Sequence, residues 1–332
     1  MIISRTPFRV SFFGGGTDYP AWYRENGGVV LNTTIDKYCY ISCRYLPPFF
    51  GYKYRIRYSL REEKCNIDQI EHPAVRECLK FMRIEQGIEM VHTSDLPARS
   101  GIGSSSAFTI GFLNALYALA GRMVGKRRLA SNAIYVEQDI VGESVGSQDQ
   151  VAAAFGGLNR IEFNGKENFF VQPVTLNRRR IMELQNHLMF FFTGFSRTAS
   201  EIASEQIQNT AAKSTELRTL RDMVDEAVNI LNNSGENIEG FGKLLDESWK
   251  LKRSLSKRVS TSTIDEMYEI ALKAGAVGGK LCGAGGGGFM LLFVPPRKQR
   301  QVKKALHKLL HVPFHFETLG SQIVVYAHQD SY

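Results

Sequence analysis

The feature that most constrains this chain is a run rich in glycine and serine at residues 95–107, between a strand-like and a helix-like segment. Gly101 and Gly103 can adopt positive φ and carry no side chain, so several backbone N–H groups can point at one phosphate group. Ser104 is the predicted N-cap of a helix that continues through residues 107–120, and its unpaired N–H groups would add partial positive charge. The run therefore predicts an anion-binding loop, with an ordinary glycine turn and serine cap as the alternative.

Two familiar phosphate-loop patterns do not fit this run. The Walker A pattern places a lysine before its final Ser or Thr, but here Ser104 follows Gly103 directly. The dinucleotide-binding pattern needs a third glycine where this chain has Ser106. The run instead resembles the phosphate loop of the GHMP kinases, which include galactokinase, homoserine kinase, mevalonate kinase and phosphomevalonate kinase. The ATP- and phosphate-binding residues that this resemblance implies are Pro97, Arg99, Ser100, Gly101, Ile102, Gly103, Ser104, Ser105 and Ser106.

Two more motifs extend the resemblance along the chain. Residues 6–19 resemble the family's first motif, in which a strand carries a basic residue and a Thr-Asp-Tyr turn meets the sugar in the sugar kinases. Residues 280–288 resemble its third motif, a glycine loop that lies beside the active site and supports the phosphate loop. The substrate-binding residues that the resemblance implies are Gly15, Gly16, Thr17, Asp18, Gly285 and Gly286.

Phosphoryl transfer needs groups that hold the nucleotide, offset the developing charge and orient the attacking hydroxyl. Glu137 could hold Mg²⁺ together with the Ser104 hydroxyl, since hard oxygen ligands suit that ion. Asp149 could align the acceptor hydroxyl or take its proton, and the permanently charged Arg9 could pair with Asp149. The resemblance implies the same roles, with Asp149 and Arg9 catalytic and with Ser104 and Glu137 as metal ligands.

Each of these residues also has a plainer interpretation. Glu137 could be a solvated helix residue, Asp149 an N-cap and Arg9 a surface residue of a strand. The family's Pro-Ser-Gly before the aspartate is replaced here by residues 144–147, and the interval from Glu137 is longer by one residue. Glu143 is therefore the alternative metal ligand. Whether Asp149 acts as a general base or as an electrostatic aid is open.

Hydrophobic periodicity and glycine breaks predict alternating strands and helices, which indicates an α+β fold. Strands are predicted over 2–13, 29–44, 54–59, 88–92, 158–163, 169–174, 188–192, 289–294 and 323–327. Helices are predicted over 73–87, 107–120, 127–141, 146–157 and 296–310, and through most of 198–275. The resemblance implies a two-domain GHMP kinase fold. Its catalytic, ATP-binding domain over 1–180 would be like ribosomal protein S5 domain 2, and its domain over 181–332 would be ferredoxin-like.

Composition limits the partners and the location of the protein. The 332 residues carry 41 Lys and Arg against 33 Asp and Glu, interspersed along the chain, which favours small anionic ligands over nucleic acid. Five cysteines without Cys-x-x-Cys or matched histidines predict neither a zinc site nor a disulfide framework. We find no signal core and no membrane-length apolar run, so we expect a cytoplasmic protein without a membrane partner. Residues 53–58 and 178–180 are interpreted as solvated basic faces.

Within the family, residues 8–20 most resemble bacterial kinases that phosphorylate the anomeric hydroxyl of D-glycero-D-manno-heptose 7-phosphate, a step toward nucleotide-activated heptose and surface glycans. This implies ATP and a sugar phosphate as substrates, with Mg²⁺ as cofactor. Gly15 and Gly16 stand where galactokinases carry larger side chains, which leaves room for a larger sugar. A basic site at the far end of that sugar could come from Arg99, Lys53 or Arg197.

Three alternatives are open at this point. The chain could be another sugar-1-kinase, such as a fucokinase-like enzyme, or a sensor that binds ATP and sugar without turnover. The hairpin at residues 158–174 could also face a nucleic-acid backbone. The presence of Asp149 argues against a sensor, because binding alone does not require it. The oligomeric state, monomer or homodimer, is open.

Overall fold

The computed structural model describes residues 1–165, 168–194, 199–233, 235 and 237–327. Strands and helices alternate through this part of the chain, and the predicted α+β fold is confirmed. The strands are β1 (Ile2–Phe13), β2 (Gly28–Tyr45), β3 (Tyr54–Arg57), β4 (Arg61–Lys64), β5 (Ile88–Ser94), β6 (Leu158–Asn164), β7 (Asn168–Pro173), β8 (Leu188–Gly194), β9 (Gly278–Leu281), β10 (Gly288–Phe293), β11 (Leu310–His311), β12 (Phe316–Glu317) and β13 (Gln322–Tyr326). The helices are α1 (Pro20–Asn26), α2 (Pro73–Met82), α3 (Ser104–Leu119), α4 (Lys126–Tyr135), α5 (Gln148–Phe155), α6 (Arg178–Asn186), α7 (Ala199–Gln208), α8 (Ser214–Asn232), α9 (Glu239–Arg253), α10 (Ser262–Lys273) and α11 (Gln299–Ala305).

The larger sheet has nine strands among the described residues, and its main path runs β13-β1-β2-β5-β3-β4. β1 pairs antiparallel with β2, whose other side is shared by β6, β12 and β5. The length of β2 follows from its alternation, since Ile35, Cys39, Ile41 and Cys43 are fully buried at even spacing. Cys39 and Cys43 therefore lie on one face of β2 as packing residues.

The smaller sheet has the order β11-β8-β10-β9, with every pair antiparallel. This is the strand order of a ferredoxin-like fold, with α7 to α10 between the first and second strands. β10 is buried on both faces, because Phe289 and Leu291 lie in one hydrophobic core and Met290 and Leu292 in another. The ferredoxin-like prediction for the C-terminal half is confirmed.

Helix α3 follows the phosphate loop and lies deep in the protein. Eleven of its 16 residues are buried, and it packs against β1, β2 and α5. A helix that is apolar on most of its circumference has to be surrounded by other elements. Its N-terminus, and with it the phosphate loop, is therefore held in a fixed position relative to both strands.

Arg180 was predicted to lie on a solvated face, and this prediction is wrong. The side chain is 3% exposed at the start of α6, and its guanidinium donates to the carbonyls of Ile230 (2.6 Å) and Leu231 (3.2 Å). These carbonyls belong to the last turn of α8, where backbone acceptors lack helical partners and carry partial negative charge. The role of Arg180 depends on a helix 50 residues away in sequence, so the local charge pattern could not indicate it.

The helix predicted over residues 296–310 is shorter in the structure. A 3₁₀ turn at Pro296–Lys298 precedes α11, which ends at Ala305. Leu310 and His311 form β11 and pair with β8 instead. Pairing with a sheet distant in sequence has overridden the local helical pattern.

The end of the described chain returns to the larger sheet. β12 pairs with β2, and β13 pairs with β1. The domain division at residue 180, which remains a prediction, therefore does not separate the two sheets. Within the described residues, no helix combines the length and the apolar character needed to cross a lipid bilayer.

Candidate functional site

The phosphate loop turns through three residues with positive φ, namely Arg99 (59°), Gly101 (80°) and Gly103 (73°). The first hydrogen bond of α3 runs from the Ala107 amide to the Gly103 carbonyl (2.9 Å). Gly103 therefore occupies the N-cap position, and Ser104 is the first helical residue rather than the predicted cap. Glycine is favoured there because the position needs a left-handed conformation. The amides of residues 104–106 precede that first bond and are available to an anion.

The serines of the loop lie in different environments. Ser100 is buried, and its hydroxyl closes the turn by donating to the Pro97 carbonyl (2.6 Å). Ser104 is half-buried and Ser105 is exposed. Ser106 is buried and donates to Oε2 of Glu137 (2.9 Å).

Arg9 and Asp149 form a bidentate ion pair. Nε and Nη2 of Arg9 each donate to one carboxylate oxygen of Asp149 at 2.7 Å, and Nη1 donates to the Gly101 carbonyl at 2.7 Å. Burial opposes the charge of Arg9, but Asp149 raises the pKa of Arg9 above its ordinary value. The Arg9 side chain is 5% exposed and that of Asp149 is 23% exposed, so the carboxylate is the accessible member of the pair.

Gly103 connects this pair to the phosphate loop. A Cβ at this position would lie 3.2 Å from Oδ2 of Asp149 and 3.3 Å from Cγ of Arg9. The start of α3 is thus in contact with the ion pair. The structure brings together a helix N-terminus, a guanidinium and a carboxylate, the groups expected around a transferring phosphoryl group.

The turn at residues 14–18 lies at the end of β1. The Thr17 hydroxyl is buried and shares its one proton between the carbonyls of Gly14 (2.8 Å) and Val29 (3.0 Å), so it stabilises the turn itself. Gly14 and Gly16 have positive φ. A Cβ at Gly15 would lie 3.6 Å from Ser11 Oγ and 3.7 Å from Gln148 Nε2, so a methyl group would fit here in ordinary van der Waals contact and the space beside this residue is already lined.

Asp18 ties that turn to the start of α5. One carboxylate oxygen accepts the Gly16 amide (2.9 Å), and the Asp18 carbonyl accepts the Ser147 amide (2.9 Å). A Cβ at Gly146 would lie 1.9 Å from Oδ2 of Asp18, so a side chain at this position would displace the Asp18 carboxylate. Burial raises the pKa of Asp18, and the charge of Asp149 adds to this rise.

The glycine loop from β9 to β10 packs directly on the phosphate loop. A Cβ at Gly283 would lie 2.5 Å from the Gly101 Cα, and the Phe289 amide donates to the Ser100 carbonyl (3.1 Å). Gly285 and Gly286 lie on the far side of this loop, where the Gly286 amide donates to the Val259 carbonyl (3.0 Å). In the structure these two residues contact the C-terminal half, and their substrate-binding role remains a prediction.

Glu137 is a buried carboxylate, and within the described residues only one of its two oxygens accepts hydrogen bonds. It is 1% exposed in a π-helical turn (Val136–Ile140) that extends α4, and π-turns are frequent at functional sites. Oε2 accepts from Ser106 and from the Gln150 amide group, whereas Oε1 has no hydrogen-bond partner in the described part of the protein. The Thr109 hydroxyl lies close enough to lower the pKa of Glu137, but it donates to the Ser105 carbonyl. Burial raises the pKa of Glu137 to about 7, and the charge of Glu143 contributes.

Several site residues were not singled out from the sequence. Gln150 binds Glu137, and Lys280 and Lys252 lie buried near Asp18. Lys252 carried a usable signal, since it continues the buried stripe of α9 after Trp249 at helical spacing. A lysine on a buried helix face requires a partner.

The residues proposed for a distal phosphate do not converge. Arg99 is exposed on the phosphate loop, and Lys53 is exposed before β3, where it donates to the Glu85 carbonyl (3.3 Å). Arg197 lies outside the described residues. Across the described residues, no group of three or more His, Cys, Asp or Glu forms a metal cluster.

Comparisons with known proteins identify relatives of the same architecture. The family models described as GHMP kinases N terminal domain and GHMP kinases C terminal match residues 72–157 and 223–312. A D-glycero-alpha-D-manno-heptose 7-phosphate kinase from Campylobacter jejuni is 29% identical over 322 residues, which cover 92% of this chain and 93% of the relative. A mevalonate kinase from Thermococcus gammatolerans is 30% identical, over 70% of this chain and 68% of the relative.

A solved structure agrees with these matches. The crystal structure of a D-glycero-D-manno-heptose 1-phosphate kinase from Bacteroides thetaiotaomicron superimposes with a TM-score of 0.78 and 24% identity, over 98% of this chain and 100% of the other. The two family models match in N- to C-terminal order, and their ranges contain the phosphate loop, Asp149 and the glycine loop. The chain therefore belongs to the GHMP kinases and is an ATP-dependent kinase.

Proposed function

We propose that the chain transfers the γ-phosphoryl group of ATP to the anomeric hydroxyl of D-glycero-D-manno-heptose 7-phosphate, which yields the 1,7-bisphosphate. The observation that carries the catalytic assignment is the Arg9–Asp149 pair, held against the start of α3 at Gly103. The acceptor is supported by the Campylobacter jejuni relative, which matches nearly the full length of both chains. We assign the reaction to the cytoplasm, where ATP is available.

In this proposal the chain supplies positioning and charge. The amides of residues 104–106 and the α3 dipole hold the phosphates, and Arg9 offsets the charge that develops on the transferring group. The anomeric oxygen forms a bond to the γ-phosphorus while the bond from that phosphorus to the bridging oxygen breaks, and ADP leaves. Asp149 aligns the attacking hydroxyl or takes its proton.

We assign a Mg²⁺ site to Glu137 and a loop serine, with Ser104 as the first candidate. The residues fit such an ion, because a buried carboxylate oxygen without a partner and with a raised pKa is stabilised by a cation. When bound with ATP, the ion would offset negative charge on the β- and γ-phosphates. Ser106 already donates to Glu137, and Glu143 is the alternative carboxylate.

The test is ADP release with Mg²⁺ and ATP against five acceptors: D-glycero-D-manno-heptose 7-phosphate, the same sugar without phosphate, fucose, galactose and mevalonate. We expect turnover with the heptose phosphate at the highest kcat/KM. Turnover with fucose alone would keep the catalytic assignment and replace the acceptor by that of a fucokinase-like enzyme. Nucleotide binding without turnover of any acceptor would favour the sensor.

A further inference from the structure

Two lysines outside the assigned machinery lie buried beside the site. Lys252 is in the last turn of α9 and is 6% exposed, and Lys280 is in β9 and is 2% exposed. Removing an ammonium group from water is expensive unless charges or hydrogen bonds compensate it. The contacts of these two groups are therefore informative.

In the described structure each lysine has one hydrogen-bond acceptor, a main-chain carbonyl. Lys280 donates to Phe12 (2.9 Å), just before the turn at residues 14–18, and Lys252 donates to Gly283 (2.5 Å), in the loop that packs on Gly101. An ammonium group has three N–H donors. Two donors on each lysine thus have no acceptor among the described residues, although the groups are buried.

The charges that act on Lys252 are those of the candidate site. Burial lowers the pKa of Lys252 to about 8 and that of Lys280 to about 7. A Cβ at Gly16 would lie 3.7 Å from Cδ1 of Leu255, three residues after Lys252, so the end of α9 lies against the turn at residues 14–18. The charges of Asp18 and Asp149 both raise the pKa of Lys252 against the effect of burial. The titratable and charged groups around Lys252 are Cys282, Asp18, Arg9, Asp149 and Lys280.

We propose that Lys252 is an acceptor-binding residue, whose free N–H groups donate to oxygen atoms of the sugar from the C-terminal half of the chain. This inference rests on the proposed function. Lys252 suits the role better than Lys280, because Lys280 joins the two sheets by holding the end of β1. The acceptor is favoured over the nucleotide because the end of α9 contacts the turn at residues 14–18, which is the turn assigned to the sugar.

The test uses Lys252→Met in the full-length chain, with Lys250→Met as the matched control. Lys250 lies on the same helix, but its side chain is 65% exposed and pairs with Asp246. Loss of a hydrogen bond from a charged donor should raise the acceptor KM roughly tenfold or more, while the KM for ATP stays unchanged. The control should match the parent enzyme in both constants.

A second variant distinguishes contact between Lys252 and the sugar from a role in which Lys252 only supports the glycine loop. Lys252→Gln keeps an N–H donor for the Gly283 carbonyl but removes the charge. We expect a melting temperature close to that of the parent and an acceptor KM that is still raised. Restoration of the parent KM by glutamine would show that Lys252 only holds the loop, and the inference would be rejected.

A comparison of KM values for the sugar with and without its phosphate shows which oxygen atoms of the acceptor Lys252 contacts. If Lys252 donates to the phosphate, Lys252→Met will lose much of the preference for the phosphorylated sugar. If it donates to hydroxyl groups, both KM values will rise by the same factor. Either result supports acceptor binding, whereas unchanged acceptor KM values or a change confined to ATP would overturn it. A parent enzyme that turns over no sugar would instead reject the proposed function.

Discussion

Asp149 and Glu137 both lie beside the start of α3, Asp149 against Gly103 and Glu137 against Ser106, but different groups face them. Both oxygens of Asp149 accept hydrogen bonds from one guanidinium. Glu137 is more deeply buried, receives neutral donors at one oxygen and has no partner at the other in the described structure. The first carboxylate is thus neutralised by the protein, whereas the second requires a proton or a bound cation.

This difference separates two kinds of function. A carboxylate fixed by a bidentate arginine has a defined orientation, which suits alignment of an attacking hydroxyl. A buried carboxylate without a counter-charge is unfavourable when ionised, and a divalent cation would relieve that cost. The predictions below test whether the two acids behave in these two ways.

Replacement of Asp149 should give the largest effect. Asp149→Asn removes the charge that aligns the hydroxyl and presents an amide to Arg9, so kcat should fall roughly 10²- to 10⁴-fold. ATP binding, measured by calorimetry, should be largely retained. The control is Asp139→Asn, an exposed acid of the π-turn, which should keep the parent kcat. Full turnover by Asp149→Asn would remove this residue from the mechanism.

Replacement of Glu137 should weaken Mg²⁺ binding more than it lowers the stability of the fold. Glu137→Gln keeps the shape but not the charge, so the Mg²⁺ concentration needed for half-maximal activity should rise roughly 10- to 100-fold. The melting temperature of the metal-free protein should stay the same or rise, because a buried charge without a counter-ion has been removed. Glu143→Gln is the comparison, and a larger Mg²⁺ effect there would move the metal site to Glu143.

The pH dependence of stability should show the smallest effect. The pKa of Glu137 is about 7 in the fold against 4.5 for the ordinary group, so the folded protein holds a proton that the unfolded chain releases. With a chelator present, the free energy of unfolding should decrease as pH rises from about 4.5 to 7, by about 3 kcal/mol for this group.

Denaturant titrations of parent and Glu137→Gln across this pH range isolate that contribution. The decrease should be shallower in the variant, and saturating Mg²⁺ should reduce it in the parent. Parallel curves for the two proteins would mean that Glu137 does not carry the proton, and the contrast with Asp149 would fail.

Much of the fold could be predicted because neighbouring residues in the sequence determine where many of its strands and helices end. The glycines that follow Phe13 and Phe155 end a strand and a helix where the sequence indicates, and the alternation of β2 marks its buried face. The failures involve partners far away in sequence. Arg180 caps α8, and Leu310 pairs with β8, so neither could be read from neighbouring residues.

The candidate site likewise contains residues that the sequence indicates and residues that only the fold reveals. Asp149, Arg9 and the loop serines were indicated by motifs, although their roles remain predictions. Lys252 and Gln150 belong to no motif, and their importance depends on the carbonyl and carboxylate that the fold places beside them. The Ser104 cap was wrong because Gly103 can adopt the left-handed conformation that a serine adopts only with strain.

The pairing of β1 with β13 has a consequence for synthesis of the protein. The Met1 amino group and the Ala327 carbonyl are joined by a hydrogen bond that spans 326 residues. At roughly 5–20 residues per second, the outer partner of β1 leaves the ribosome on the order of tens of seconds after β1 itself. During that interval one edge of β1 lacks its native partner, and an unpaired strand edge can pair with other chains.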